Sequence, residues 1–421
     1  MSKSLFKSYI SHFYRLFFLL GLTFPGTAYS IDSGKNLCTT ADIKSIVVPL
    51  RNSSPEKIKL KYQFFRKAKS GFPTVIYLPG GPGGTSIGDQ GISLLIPESY
   101  GLIQTDPRGA GCNANKLLKF TDVNTEVLAE DILRVTNAEG IPPQEIILFG
   151  KSYGTALATT VGFLNSLLGR EPFKKIILEG VLGFGSQNQK EYLAGYVSAV
   201  KRYFLNRPSL LQKVESSIEK YGVDRKVFAK FLTAYIIEGI MGKGQGHPLD
   251  EPLHWMTDGL NFKVFNEEFL IPIQKQNPSG EDANEFVWSA VTCNELSPLN
   301  FEFTFLNGDL KIESGSTGHR LTCKNKTIER PYDSKKMQLR EEIIYLQGSE
   351  DPATSMDQAI YHFDSQKLSK RKDFIVFGGF GHSVLAWLEY RHSGLVKEIW
   401  LRNFDPNFIS ANLPEFQIEF K

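Results

Sequence analysis

Beyond its first thirty residues the chain has no apolar run of about eighteen residues, which excludes an ordinary membrane-spanning helix there. Its 4 cysteines show no zinc-like spacing. There are no internal repeats and no low-complexity tracts, so solenoid and fibrous classes fall away. An excess of one charge is also missing. The first thirty residues hold Lys3, Lys7 and Arg15 and no acidic residue, and without them the chain's 48 Lys+Arg against 45 Asp+Glu becomes an even balance. Such a chain gives no reason to expect nucleic acid or an acidic membrane as partner.

What is present is ordinary globular material: 421 residues, 41% hydrophobic, 22% charged and 12% aromatic. That is enough for a full core, and α/β folds of this length often run as one unit. The opening segment differs. Its three basic residues precede "LFFLLGLTF" (16–24), then Pro25, Gly26 and the small-residue ending "TAYS". This predicts a secretory signal over 1–30, cleaved after Ser30, with an uncleaved anchor as the alternative. The mature chain is then secreted or periplasmic, with no stable membrane anchor. An even number of cysteines in an exported chain favours two disulfides. Cys38–Cys112 and Cys293–Cys323 would keep each pair within one region, among three connectivities. "NSS" (52–54) and "NKT" (325–327) fit the glycosylation sequon.

Eight runs rich in Ile, Val, Leu and Tyr read as strands: 45–50, 58–67, 74–80, 101–106, 145–150, 175–180, 342–348 and 373–379. The first two alternate loosely, as a half-exposed antiparallel hairpin would. The others are compact apolar blocks, as parallel strands buried on both faces require. Helical stretches such as 125–138 and 155–168 lie between them, which predicts a doubly wound, mostly parallel eight-stranded sheet. After Gly180 the rhythm stops. Leu211, Val214, Ile218 and Tyr221, then Phe228, Phe231 or Leu232, and Tyr235 repeat at helical spacing. The organisation expected is a core from 31–182, an inserted and mainly helical cap from 183–335, and the rest of the core from 336–421.

Within "EIILFGKSYGTALATT" (145–160), Gly150-Lys151-Ser152-Tyr153-Gly154 places a serine between two glycines where a strand should become a helix. That sharp turn lifts the serine hydroxyl above the sheet edge, because a Cβ at either glycine would strike its neighbours. The alternative is a structural turn whose serine caps the helix. A hydroxyl becomes a nucleophile only when a base takes its proton and an acid orients that base, here in the chain order Ser, acid, His. His382 lies in "VFGGFGHSVL", a glycine-rich loop after the final strand, and is the candidate base. His362 and His392 read as surface positions on helices. "YLQGSEDPATS" supplies Asp351 as the favoured acid, with Glu350 beside it and Glu179 at another strand end as rivals. For the oxyanion, one donor is the amide of Tyr153 and the other comes from "LPGGPGG" (78–84), Gly80 first and Gly81 second.

Five motifs in order, Pro79-Gly80-Gly81-Pro82-Gly83, "TDPRGAG" (105–111), "GKSYGT" (150–155), "GSEDPAT" (348–354) and "GFGH" (379–382), resemble the α/β-hydrolase family of prolyl aminopeptidases and secreted tripeptidyl aminopeptidases. "AVTCNE" (290–295) and "VVPL" (47–50) resemble segments of the tripeptidyl branch. The resemblance covers 40–182 and 336–400 well and the insertion patchily. Pro79 stands where the prolyl enzymes carry histidine, which favours the tripeptidyl side. Glu295 and Glu179 stand where the group often has Asp. The resemblance implies a serine aminopeptidase acting on free peptide N-termini, with no metal or organic cofactor. Such a site needs a carboxylate for the substrate ammonium. Glu179 and Glu295 are the main candidates, with Glu191 and Glu238 beside them. Asp106 and Arg108 are expected to brace the loop near the site. A carboxylesterase or lipase on the same scaffold is the alternative, and a binding protein with an idle hydrolase fold a further one.

Overall fold

The computed structural model describes residues 37–50, 55–185, 189–205, 207–237, 249–259, 261–271, 283–296, 302–305, 310–313, 331–414 and 416–421. The expected signal, both sequons, Cys323, Glu238 and the Glu191 side chain fall outside them.

The centre is a nine-stranded sheet in the order β1-β2-β4-β3-β5-β6-β9-β10-β11. Its strands are β1 (Ile43–Pro49), β2 (Lys57–Arg66), β3 (Thr74–Leu78), β4 (Gly101–Thr105), β5 (Ile146–Lys151), β6 (Lys175–Glu179), β9 (Glu342–Gly348), β10 (Arg371–Phe377) and β11 (Ile418–Phe420). β1 pairs antiparallel with β2, and β2 with β4. From β4 to β10 every pairing is parallel. Eight strands are where the apolar runs predict them. The ninth, β11, is a three-residue antiparallel edge on β10 that the sequence reading lacks.

The continuous apolar runs follow from burial on both sides. In β3, Val75 and Tyr77 face one core cluster, and Ile76 and Leu78 the other. In β5, Ile147 and Phe149 oppose Ile146 and Leu148 in the same way. With side chains alternating along a strand, both sets must be apolar when helices cover both faces. One face is covered by α2 (Thr125–Glu139) and α3 (Tyr153–Leu167), and by α9 (Met356–Ser365). The other carries α1 (Gln90–Leu95), α10 (Val384–Arg391), α11 (Leu395–Leu401) and α12 (Pro406–Asn412), packed around Trp387 and Trp400.

Between β6 and β9 lie α4 (Gln189–Leu205), α5 (Pro208–Tyr221), α6 (Arg225–Ile236), α7 (Asp250–Thr257), α8 (Ala283–Val291) and a hairpin of β7 (Glu302–Phe305) and β8 (Leu310–Glu313). This segment has its own buried cluster, which includes Tyr203, Phe204, Val214, Phe228, Phe231, Phe265 and Phe269. Strand order reverses at β3, which has β4 on one side and β5 on the other. In open α/β sheets ligands bind outside the carboxyl ends of the strands at such a switch point.

Candidate active site

Ser152 sits at that edge, between the end of β5 and the start of α3, with φ 56° and ψ −126°. A positive φ is costly for a residue with a Cβ, on the order of 1–3 kcal/mol, and it persists only where surrounding structure holds it. The glycines make room. A Cβ on Gly154 would lie 2.0 Å from the carbonyl oxygen of Leu78, and one on Gly150 2.3 Å from that of Gly154. The amide of Ser152 donates to the carbonyl of Glu179 at 2.8 Å, tying the turn to the end of β6. The side chain therefore rises from a strained turn rather than capping the helix, and no side-chain cap bond forms.

His382 is buried in the loop between β10 and α10. Its Nδ1–H donates to Oδ2 of Asp351 at 2.8 Å. Asp351 is in turn held by the amides of Ala353 and Thr354 on Oδ1 at 2.9 and 3.0 Å, and by the Thr354 hydroxyl on Oδ2 at 2.7 Å. Gln347 Nε2 adds a fourth donor at 3.2 Å. With Nδ1 given to the carboxylate, Nε2 is the nitrogen left to take a proton. The ring lies on Gly180, where a Cβ would come within 2.8 Å of Cε1. Gly180 follows the residue whose carbonyl receives the Ser152 amide, so imidazole and hydroxyl stand over the ends of neighbouring strands. Thr354 and Gln347 have no role in the sequence reading. The Asp-Pro-Ala-Thr spacing was the available signal, since such a threonine can bond back to the aspartate in a turn.

The rival acids are engaged elsewhere. Glu350 receives Arg202 of α4 at 2.9 Å. Glu179 is 1% exposed, and its Oε1 accepts the amide of Leu385 in the first turn of α10 at 2.7 Å. Burial pushes its carboxyl above the ordinary range, opposed by Lys151. Glu295 accepts the amide of Thr125 at 2.9 Å and also the Thr125 hydroxyl, which lies 2.9 Å from the hydroxyl of Tyr153. Both glutamates expected at a substrate ammonium thus bond to the start of a helix, α10 and α2, where amides without helical acceptors favour a carboxylate.

Gly80 lies against Ser152, since a Cβ on it would be 2.9 Å from Ser152 Cβ. Gly81 and Ser152 line one pocket together with Tyr153, Leu182, Phe184, Leu296, Ala353, Thr354 and Gln358. Tyr153 is the first residue of α3, so its amide has no acceptor within the helix. Behind the glycine loop, Asp106 accepts the amides of Ser86, Ile87 and Cys112 at 2.8, 3.0 and 2.9 Å. Burial raises its carboxyl to about 6. Arg108 is fully buried and grips Asp131 through two bonds, 2.7 and 2.6 Å, and the carbonyl of Leu50 at 2.8 Å. Asp106 thus braces the segment that follows the glycine loop, while Arg108 ties α2 to the end of β1. Cys38 and Cys112 form a disulfide next to this brace. Cys293 is also disulfide-bonded, and Cys323 lies outside the described residues. Among the described residues no group of His, Cys, Asp and Glu is gathered as metal ligands would be.

The remaining histidines differ from the sequence reading. His362 is not on the surface: it is fully buried, with Nε2 2.9 Å from Thr159 Oγ1 and Nδ1 3.0 Å from the Tyr345 hydroxyl. His362 lies on the inner face of α9, between Thr159 of α3 and Tyr345 of β9, while Asp357 and Asp364 take the exposed face. His392 is half-buried beyond the end of α10.

A family described by its alpha/beta hydrolase fold matches residues 73–242. No curated protein matches the chain. Among solved structures, the chain is similar to Rv0554 from Mycobacterium tuberculosis, with 12% identity and a TM-score of 0.46 over 86% of this chain and 98% of that one. It is similar to a serine hydrolase, CCSP0084, from Cycloclasticus zankles, with 14% identity and a TM-score of 0.44 over 86% and 99%. A thermophilic esterase from Thermogutta terrifontis gives 15% identity and 0.42 over 86% and 98%.

Proposed function

We propose that this chain, which has the α/β-hydrolase fold, is a serine hydrolase in which Ser152 attacks an acyl carbon. His382 takes the serine proton and returns it to the leaving group, and Asp351 fixes the imidazole tautomer. The amides of Tyr153 and Gly80 or Gly81 hold the oxyanion, and water then releases the acyl-enzyme. The observation that carries the reading is the 2.8 Å bond from His382 to Asp351, set over the strand end that anchors the strained Ser152 turn. A buried histidine bonded to a buried carboxylate beside such a turn is the arrangement that nucleophile activation needs.

Within that class we read the substrate as a peptide cleaved near its free N-terminus. Five motifs in the chain order of the prolyl and tripeptidyl aminopeptidases support it. The even cysteine count and the Cys38–Cys112 disulfide support export, since disulfides persist in oxidising compartments. One observation favours an ester substrate instead. Among the described residues the lining of the pocket around Ser152 carries no charge, and Glu179 and Glu295 are bonded to helix amides.

One substrate panel separates these readings. Free and N-acetylated peptidyl anilides are compared with p-nitrophenyl esters, using wild type and Ser152→Ala. The peptidase reading expects fast release from free N-termini and little from acetylated ones. Ser152→Ala should lower turnover by about 10³-fold or more. Ester turnover with inert peptides would move the assignment to the esterase, and failure of a fluorophosphonate to label Ser152 would end the hydrolase reading.

A further inference from the structure

Two buried charges lie behind the nucleophile and take no part in acyl transfer. Lys151 and Glu179 are paired in register at the carboxyl ends of β5 and β6, and are 7% and 1% exposed. Each reaches across to the start of α10. Lys151 Nζ donates to the Ser383 hydroxyl at 2.9 Å, and Glu179 accepts the Leu385 amide at 2.7 Å. Ser383 holds the N-cap position of α10 but makes no side-chain cap bond. Its hydroxyl serves Lys151, and the carboxylate of Glu179 takes a helix amide that a cap residue would otherwise reach.

The placement has a consequence for the reacting pair. Lys151 precedes Ser152, and Ser383 follows His382. The turn that carries the hydroxyl and the loop that carries the imidazole are thus joined one residue beyond each. A packed apolar pair would hold two strand ends with less desolvation cost than two buried charges. The charges are therefore explained better by what they do to the site than by stability. Among the described residues those facing the pair are few: Glu179 senses Lys151, His382 and Asp351. Asp89 also senses Lys151, and Tyr77 lies between the fields of Asp89 and Glu179.

We propose that Lys151 and Glu179 are positioning residues, a charged clamp that sets the register of His382 against Ser152 and balances the charge around its imidazole. This rests on the serine-hydrolase reading. The clamp predicts opposite electrostatic effects from its two halves, which a merely structural role would not produce. Loss of the Lys151 cation favours the imidazolium, and loss of the Glu179 anion disfavours it.

The test measures the rate of fluorophosphonate labelling from pH 5 to 9 on the full chain. In parallel, the His382 ring is titrated by NMR, which needs no activity. Lys151→Met should move the acidic limb of the labelling profile and the ring titration to higher pH, and Glu179→Gln should move both lower, each by about one pH unit. Lys151→Arg, which keeps the cation, should leave both where wild type has them. Ser383→Ala removes only the tether and should slow labelling on the order of 10-fold with the limb in place. Ring titrations that stay put, or move the same way in Lys151→Met and Glu179→Gln, would overturn the proposal. So would wild-type labelling by Ser383→Ala. A wild-type chain that never labels removes the hydrolase reading, while the ring titration still decides the clamp.

Discussion

Among the described residues two imidazoles are buried, and their partners separate their roles. His382 meets a carboxylate, and His362 meets two hydroxyls, Thr159 and Tyr345. A carboxylate stabilises the imidazolium that proton abstraction creates, whereas hydroxyls in a low-dielectric core do so weakly. Burial accordingly drives the His362 pKa down to about 3, and the ring stays neutral. The unfolded chain titrates it near 6.5. Above that pH neither state holds the proton. Below it the unfolded chain gains a proton that the folded chain refuses, so this contribution to stability is lost as pH falls toward 3. Between pH 7 and pH 5 the loss amounts to about 2 kcal/mol. Asp89 and Asp106 work in the opposite sense, because burial raises them to about 7 and about 6. The measurement is therefore a difference. Denaturant unfolding at both pH values should show wild type losing about 2 kcal/mol more than His362→Gln on going to pH 5. Equal changes in the two proteins would mean that the ring is charged in the folded chain.

At the scale of an element, the β5–turn–α3 unit is held by the Ser152–Glu179 backbone bond and by exclusion of side chains at its two glycines. A Cβ on Gly154 would lie 2.0 Å from a backbone oxygen of β3, which cannot swing aside as a side chain would. Gly154→Ala should therefore destabilise the chain by about 3 kcal/mol, at the upper end of overpacking costs, with a matching fall in Tm. Unchanged melting would mean that α3 can move off β3. The same steric demand is why this unit was legible in sequence: only glycine satisfies it, so the pattern survives without knowledge of neighbours. The parallel strands were legible because burial on two faces leaves no polar position to blur them. β11 was not, since three residues with an exposed Glu419 carry no period. The partners of the two glutamates read as ammonium ligands were not legible for another reason. Their acceptor roles depend on amides 206 and 170 positions away in the chain, at Leu385 and Thr125. A carboxylate in a sequence has a charge but no address.

Taken whole, the molecule joins the segment between β6 and β9 to the sheet and its helices at several places, among them α2, where Glu295 accepts from Thr125. The cap's α4 to α7 share an aromatic cluster of their own, while α8 packs through Val287, Ala290 and Val291 into the core of the sheet. This segment also meets the loops that carry His382 and Asp351. The amide of His382 donates to the carbonyl of Ile237, just past α6, at 2.8 Å. Gly195 of α4 lies so close to the loop after Asp351 that a Cβ would be 2.5 Å from the carbonyl oxygen of Pro352. Arg202 reaches Glu350 nearby at 2.9 Å, with the arginine 58% exposed. The first two contacts place backbone against backbone and so transmit position. The exposed ion pair is worth at most about 1 kcal/mol. The cap should therefore govern the triad through Gly195 and not through Arg202. Gly195→Val should lift α4 from the acid loop, slow fluorophosphonate labelling on the order of 10-fold, and speed proteolysis within 189–237. Arg202→Ala should change labelling less than about fivefold, because the pair it removes is solvated. If Gly195→Val labels at the wild-type rate while its cap is cleaved faster, the triad keeps its geometry without the cap, and cap and sheet are joined in space but not in function.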